Sequence, residues 1–397
     1  MQALHINRTA NISSANAMAP GFPEYLQQPL GAIVFQLTLW STVAFLGVIG
    51  NLLVCIVILS QAKMKTSINY YLLSLAIADL GVLLLVYPMA VFKYLFPFRW
   101  LLGKQVCFYL IPTGEIFFGA STWSITAIAI ERYRNVVGAK CYQIRYRSRD
   151  RMRTFLVIGM VWLASFLVSS VPLYPIMTYN SNRELCYPEW PDMSGTNAFY
   201  LTHSLILLVF WYVLPLIVIV FTYVKIKKRV RESVKFRSSM TSQSSQISER
   251  RDKSIWRQSN KAKRILTPLV VLYPVTMFPL NALRVLLLIF PTFWTNSYYN
   301  LIYGQVGFFV LINSSANPLV YYIMSKEFKD AFKKIFKSLK DKRFFRVFCR
   351  KIRALLGNSK VLEEEEQNLQ LTSNNNSQVA LMNVQIVTGL YIVHVLS

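Results

Sequence analysis

The chain has 397 residues, 54% of them hydrophobic and 15% charged, with a formal net charge of +25. Apolar content this high, gathered into long separate blocks, excludes a soluble globular protein of ordinary composition. The positive charge invites a nucleic-acid reading, but it is confined to particular loops, and the chain reads as a multi-pass membrane protein.

Residues 1–32 show no basic patch followed by a short apolar core and a small-residue cleavage site, so a cleaved signal peptide is not expected and the first span serves as the targeting signal. Asn7-Arg8-Thr9 and Asn11-Ile12-Ser13 in this segment are glycosylation sequons at Asn7 and Asn11. Apolar runs follow near 33–59, 69–93, 106–130, 154–176, 199–224, 265–290 and 300–324. Each can cross a hydrocarbon core about 30 Å thick at about 1.5 Å per residue. The runs lack the alternation of barrel strands, and lipid cannot satisfy a bare backbone, so the expected fold is all-α, a bundle of seven transmembrane helices.

Basic residues fix the sidedness. Lys63 and Lys65 follow the first span, a cluster from Arg134 to Arg153 follows the third, and the 225–264 segment carries fourteen basic residues against three acidic ones. The 177–198 loop is net acidic through Glu184, Glu189 and Asp192. The positive-inside rule therefore places the amino terminus outside and the 325–397 segment in the cytoplasm, with the plasma membrane as the expected location. Of five cysteines only Cys107 and Cys186 fall on the oxidising outer side, and their pairing would pin the 177–198 loop to the top of the third span. The turn-forming residues of that loop suit a strand pair.

Several polar groups sit where lipid or core is expected. Asp79 lies midway along the second span, and Ser121, Asn313 and Asn317 offer oxygen ligands from two other spans. Such a set suits a small cation, with a carboxyl that merely joins helices as the alternative. Glu131-Arg132-Tyr133 closes the apolar run of the third span, and a charge there costs about 2.5–3.5 kcal/mol at mid-membrane, which marks it as functional. Prolines occur inside the spans at 88, 112, 172, 215, 274, 279 and 318, each expected to kink its helix. Beyond Tyr321, the residues Phe328, Phe332, Ile335, Phe336 and Leu339 recur at helical spacing among lysines, which predicts an amphipathic helix on the inner leaflet, in contact with membrane lipids. Cys349 then reads either as a palmitoylation site or as a plain cytosolic thiol. Residues 238–260 read as disordered, and the apolar 379–396 stretch as a peripheral or partner-bound segment.

Gly50-Asn51, Leu75 and Asp79, Cys107, Glu131-Arg132-Tyr133, Trp162, Pro215 and Tyr223, Pro279, and Asn317-Pro318 through Tyr321 occur in that order, one set to each span. Together they resemble the rhodopsin-like (class A) G-protein-coupled receptors over residues 33–340. The resemblance implies a sodium pocket of Asp79, Ser121, Asn313 and Asn317. It also implies a switch in which Arg132 is held by Glu131 at rest and released toward Tyr223 and Tyr321 when the sixth helix swings outward. Heterotrimeric G proteins, arrestin and receptor kinases are the implied partners, and no enzyme activity, further cofactor or nucleic acid is expected. The chain departs from the family in having Met277 and Tyr273 where tryptophan and phenylalanine are usual, and Ser259 where glutamate is common. Both losses are expected to favour basal activity.

Gly114 stands where aminergic receptors have aspartate, and Leu311 where opsins have the retinal lysine. Trp100, Gly103, Pro88 and the Cys186–Pro191 loop look like those of neuropeptide receptors, with receptors for lipids or other small molecules as the alternative. Glu115, His203, Asn281, Arg284 and Tyr303 are the candidate ligand contacts, and they would suit an amidated peptide carrying arginine. Glu115 and Arg284 can equally pair with each other or snorkel. No internal repeat of the transporter kind is visible, and no nucleophile or metal-ligand cluster of the enzyme kind.

Overall fold

The computed structural model describes residues 30–96, 99–137, 147–182, 184–191, 198–239, 268, 271–290, 293 and 298–339. Asn7, Asn11, Cys141, Ser259, Cys349, most of the 225–264 loop and the tail beyond Leu339 lie outside them. Among the described residues, six helices are long and apolar enough to cross a membrane: α1 (Leu30–Ser60), α2 (Ser67–Leu95), α4 (Arg151–Ile176), α5 (Ala198–Glu232), α6 (Val271–Ile289) and α7 (Tyr299–Met324). The remaining span, α3, runs over 103–137. Its inward face is built from Gly114, Gly119, Ala120, Ser121, Thr122 and Ser124, all buried. It packs against α2, α4 and α5, and so meets protein where the other helices meet lipid. A central helix needs close approach more than apolarity. Seven helices are therefore present, six of them legible by hydropathy alone. An eighth helix, α8 (Lys326–Leu339), follows α7.

The chain divides into two compact units at Phe332. In the first, Phe328 and Phe332 of α8 are buried, and Phe332 stacks on Tyr322 of α7 with centroids 6.0 Å apart. Of the second unit, the described part is the end of α8.

Prolines set the local geometry of the bundle. Four single π-helical turns interrupt the spans, at Val82–Val86, Val106–Leu110, Phe166–Ser170 and Val209–Val213. Each is centred four residues before a proline, at Pro88, Pro112, Pro172 and Pro215 respectively. A proline ring clashes with that carbonyl and offers it no N–H, so the helix widens and the preceding amide bonds one residue further back. Val171 N, for example, donates to Phe166 O at 3.0 Å.

Carbonyls freed in this way are met by neighbouring helices. Pro318 deprives Ser314 O of its usual donor, and Asn51 Nδ2 of α1 supplies one at 3.0 Å. Pro215 does the same to Trp211 O, which accepts from the hydroxyl of Tyr273 on α6. Asn51 and Tyr273 therefore repair backbone that proline has opened. Tyr273→Phe leaves a buried carbonyl unpaired at a cost of about 1–3 kcal/mol. A lowered melting temperature for purified Tyr273→Phe receptor, relative to wild type, is the expected result.

Where helices touch, small residues are required. A Cβ added at Gly119 would fall 1.9 Å from Cη2 of Trp211 and 2.7 Å from Oγ of Ser165, so α3 can approach α5 this closely only as glycine. Outside the bundle, the 177–198 loop forms a hairpin of β1 (Met177–Asn180) and β2 (Leu185–Pro188) in antiparallel register, Thr178 opposite Tyr187 and Tyr179 opposite Cys186.

Candidate functional site

The outer half of the bundle encloses a cavity of about 380 Å³, within the range of small-ligand sites. Its roof is the hairpin. Cys107 and Cys186 form a disulfide with Cα atoms 5.8 Å apart, as the sequence predicts, tying β2 to the start of α3. The hairpin turn is held a second time, where Trp100 N donates to Glu184 O at 2.5 Å and Arg99 pairs with the Glu184 carboxylate at 2.5 Å. Glu184 has φ of +49°, a backbone state that side chains disfavour and that these two contacts hold in place. Gly103, at φ of +80°, turns the chain into α3 and accepts a hydrogen bond from Trp100 Nε1 at 3.0 Å.

Four of the five residues read as ligand contacts line this cavity: Glu115, His203, Arg284 and Tyr303. Asn281 does not. It is buried in α6, where Nδ2 donates to Met277 O one turn earlier at 2.8 Å and Oδ1 has no hydrogen-bond partner among the described residues. Glu115 and Arg284 lie 4.0 Å apart, so the mutual pairing that the sequence left open is present in loose form. Oε2 of Glu115 still has no hydrogen-bond partner among the described residues.

Lys93 and Trp190 are among the lining residues that the sequence reading did not name as contacts. Lys93 ends α2 with Nζ 5.5 Å from the centre of the Tyr303 ring, and Trp190 packs against His203 at 5.0 Å between centroids. Neither position has a periodicity that says which way it faces.

At mid-bundle, Asp79 is fully buried and accepts from Ser121 Oγ at 2.9 Å and from Asn317 Nδ2 at 2.8 Å. Three of the four residues read as a cation set thus converge. Asn313 turns instead to α6, its Oδ1 accepting from Thr276 Oγ1 at 3.0 Å. The carboxylate, the serine hydroxyl and the unpartnered Oδ1 of Asn317 are hard oxygen donors of the kind a small cation takes. A second polar cluster joins α2, α3 and α4: Ser74 meets Ser124 at 3.0 Å and accepts from Trp162 Nε1 at 3.0 Å.

At the inner end Glu131 pairs with Arg134 at 2.8 Å and accepts from Asn135 Nδ2 at 3.5 Å, while its charge and that of Glu327 also act on Arg132. The reason for the pairing is helical: residues three or four apart share a face and adjacent ones do not. Nε of Arg132 is buried without a hydrogen-bond partner, and so is the hydroxyl of Tyr321. Among the described residues no hydrogen bond joins Arg132 to Tyr223 or Tyr321. Met277, where a tryptophan is usual, is buried at 6% exposure.

The chain matches the 7 transmembrane receptor (rhodopsin family) over residues 50–321. It is 28% identical over 329 residues to neuromedin-U receptor 2 of Rattus norvegicus, covering 79% of each chain. It is 29% identical over 312 residues to neuropeptide Y receptor type 2 of Mus musculus, covering 77% of this chain and 76% of that one. With galanin receptor type 1 of Homo sapiens it shares 26% identity over 352 residues, 82% of this chain and 90% of the relative. The disulfide-tied hairpin over a charged outer cavity, the polar centre at Asp79 and the buried Arg132 accord with these likenesses. The chain is a multi-pass membrane protein that belongs to the rhodopsin family of seven-transmembrane receptors.

Proposed function

We propose that this chain is a cell-surface receptor for a neuropeptide, with its amino terminus outside, and that it relays binding to heterotrimeric G proteins by outward movement of α6. The observation that carries the reading is the outer cavity, which joins charged and aromatic walls beneath a covalently tied hairpin, in a chain similar to receptors named for neuromedin U, neuropeptide Y and galanin. Binding shifts the inner end only through a difference in ligand affinity between resting and active states. Opening of α6 breaks its ties to α5 and α7, the Tyr273–Trp211 and Thr276–Asn313 hydrogen bonds. Arg132, Tyr133, Tyr223, Met277, Pro279, Asn317, Pro318 and Tyr321 form the activation path, and the tail serves receptor kinases and arrestin.

Glu115 offers an unpartnered carboxylate oxygen to a basic or amide group of the peptide. Glu115→Lys sets two cations face to face with Arg284, and it is expected to lower peptide potency more than ten-fold, about 1.4 kcal/mol or more. Dose–response curves at matched surface expression check this, and an unchanged potency removes Glu115 from the contact set. A sodium ion held by Asp79, Ser121 and Asn317 would stabilise the resting state. Replacing extracellular sodium with a large organic cation is expected to raise agonist affinity in wild type and to leave Asp79→Asn unaffected.

A further inference from the structure

Two buried nitrogen atoms in the wall of the outer cavity have no hydrogen-bond partner among the described residues: Nε1 of Trp190 and Nε2 of His203. They belong to neighbouring rings, with centroids 5.0 Å apart. Tyr200 flanks the tryptophan at 5.9 Å. His203 is only 9% exposed, so its ring is fixed by packing rather than left to turn toward solvent. Arg284 stands close enough for its charge to act on both His203 and Tyr200. Its nearest carboxylate, Glu115, is 4.0 Å away, too far for a hydrogen-bonded pair.

Buried polar groups are ordinarily satisfied, and an unmet donor costs the full loss of its hydration. Indole N–H can only donate, imidazole donates from Nε2 in one of its neutral tautomers, and guanidinium only donates. With His203 in its Nε2–H tautomer, this wall thus gathers two unmet donors and a positive charge. The cavity as a whole agrees, since its lining carries Lys93 and Arg284 against the single acid Glu115, while Arg99 is matched by Glu184. What completes such a wall is an oxygen acceptor bearing negative charge, held by charge-assisted hydrogen bonds.

We propose that Trp190 and His203, backed by Arg284, form a subsite for an acidic group of the ligand, an aspartate or glutamate side chain or a free terminal carboxylate. The proposal rests on the peptide-receptor reading above and names the chemistry that the receptor selects. Glu115 then meets a donor on the same ligand, so the peptide carries an acid and a donor a few ångströms apart.

The probe is a library of short synthetic peptides in which each acidic member has an isosteric partner, Asp with Asn, Glu with Gln, and free terminus with amide. G-protein activation is read in cells expressing full-length receptor at matched surface levels. The variants are Trp190→Phe and His203→Phe, which keep an aromatic ring and remove one nitrogen each, and Lys93→Gln from the α2 side of the cavity. The expected result is an acid-over-amide preference of about ten-fold or more in wild type, falling to about three-fold or less in each ring variant, as loss of one charge-assisted bond implies. Packing loss alone would weaken acid and amide forms equally and leave their ratio unchanged. Hits that do not distinguish acid from amide overturn the subsite and leave the peptide reading standing. A preference that survives both ring variants and disappears in Lys93→Gln assigns the acid to Lys93 and overturns the Trp190–His203 subsite. If no peptide in any form activates the receptor while a lipid or small molecule does, the peptide reading fails, and this inference fails with it.

Discussion

Arg132→Ala is expected to reduce ligand-driven G-protein activation to the level of untransfected cells while the receptor still reaches the surface and binds ligand. The guanidinium sits at the inner end of α3 with Nε buried and unpartnered, a state that a persistent structural role does not explain. Glu131 divides its carboxylate with Arg134 and Asn135, and only its charge and that of Glu327 reach Arg132. An Arg132 contact made only in the open state, worth about 3 kcal/mol as a charge-assisted bond, corresponds to about a 100-fold loss of activation when removed. Ligand-independent signalling, which Met277 and Ser259 are expected to favour, is expected to fall by the same route. Second-messenger assays on both proteins at equal surface expression decide the matter. Activation by Arg132→Ala within about three-fold of wild type, roughly 0.7 kcal/mol, would remove Arg132 from the switch.

Cys186→Ser is expected to produce the largest loss of stability and of binding. The disulfide closes a separation of 79 residues, for which the chain-entropy account gives about 4 kcal/mol. What remains cannot replace it. An isolated two-stranded hairpin is marginal, and the Arg99–Glu184 pair is exposed, 64% on the arginine side chain, where such pairs contribute about 0–1 kcal/mol. Freed from α3, the hairpin no longer roofs the cavity or carries Trp190 to His203. A fall in melting temperature on the order of 10 °C, with ligand affinity reduced more than about ten-fold, is expected for purified Cys186→Ser. Thermal profiles by size exclusion and radioligand binding measure both. A mutant that melts and binds like wild type would show that the two non-covalent ties at Glu184 suffice.

The long runs of the first, second, fourth to seventh spans were legible because lipid imposes a simple demand on every residue that faces it. The third span was read in the same way, as an apolar run over 106–130, although its helix is poorer in hydropathy than the other six. The hairpin and its disulfide followed from the sidedness of Cys107 and Cys186. Asp79, Ser121 and Asn317 could be picked out because polar groups are rare within spans, but their convergence could not, and Asn313 chose Thr276 instead. Asn281 lies outside the cavity lining for a related reason: its depth along the helix is legible in one dimension, but the direction in which its amide points is not.

By itself the sequence determined that this is a seven-helix membrane receptor and where proline interrupts its helices, because hydropathy and proline act locally along the chain. Tertiary structure alone decided which side chains repair the bent backbone, with Asn51 reaching Ser314 and Tyr273 reaching Trp211 across 263 and 62 residues. It also decided that Glu131 serves Arg134, that Lys93 faces Tyr303, and that Trp190 and His203 leave two nitrogens open in one wall of the cavity. Those outcomes depend on the azimuth and depth at which packed helices meet. That is set by the fit of small residues such as Gly119 against Trp211, and no periodicity in a single helix contains it.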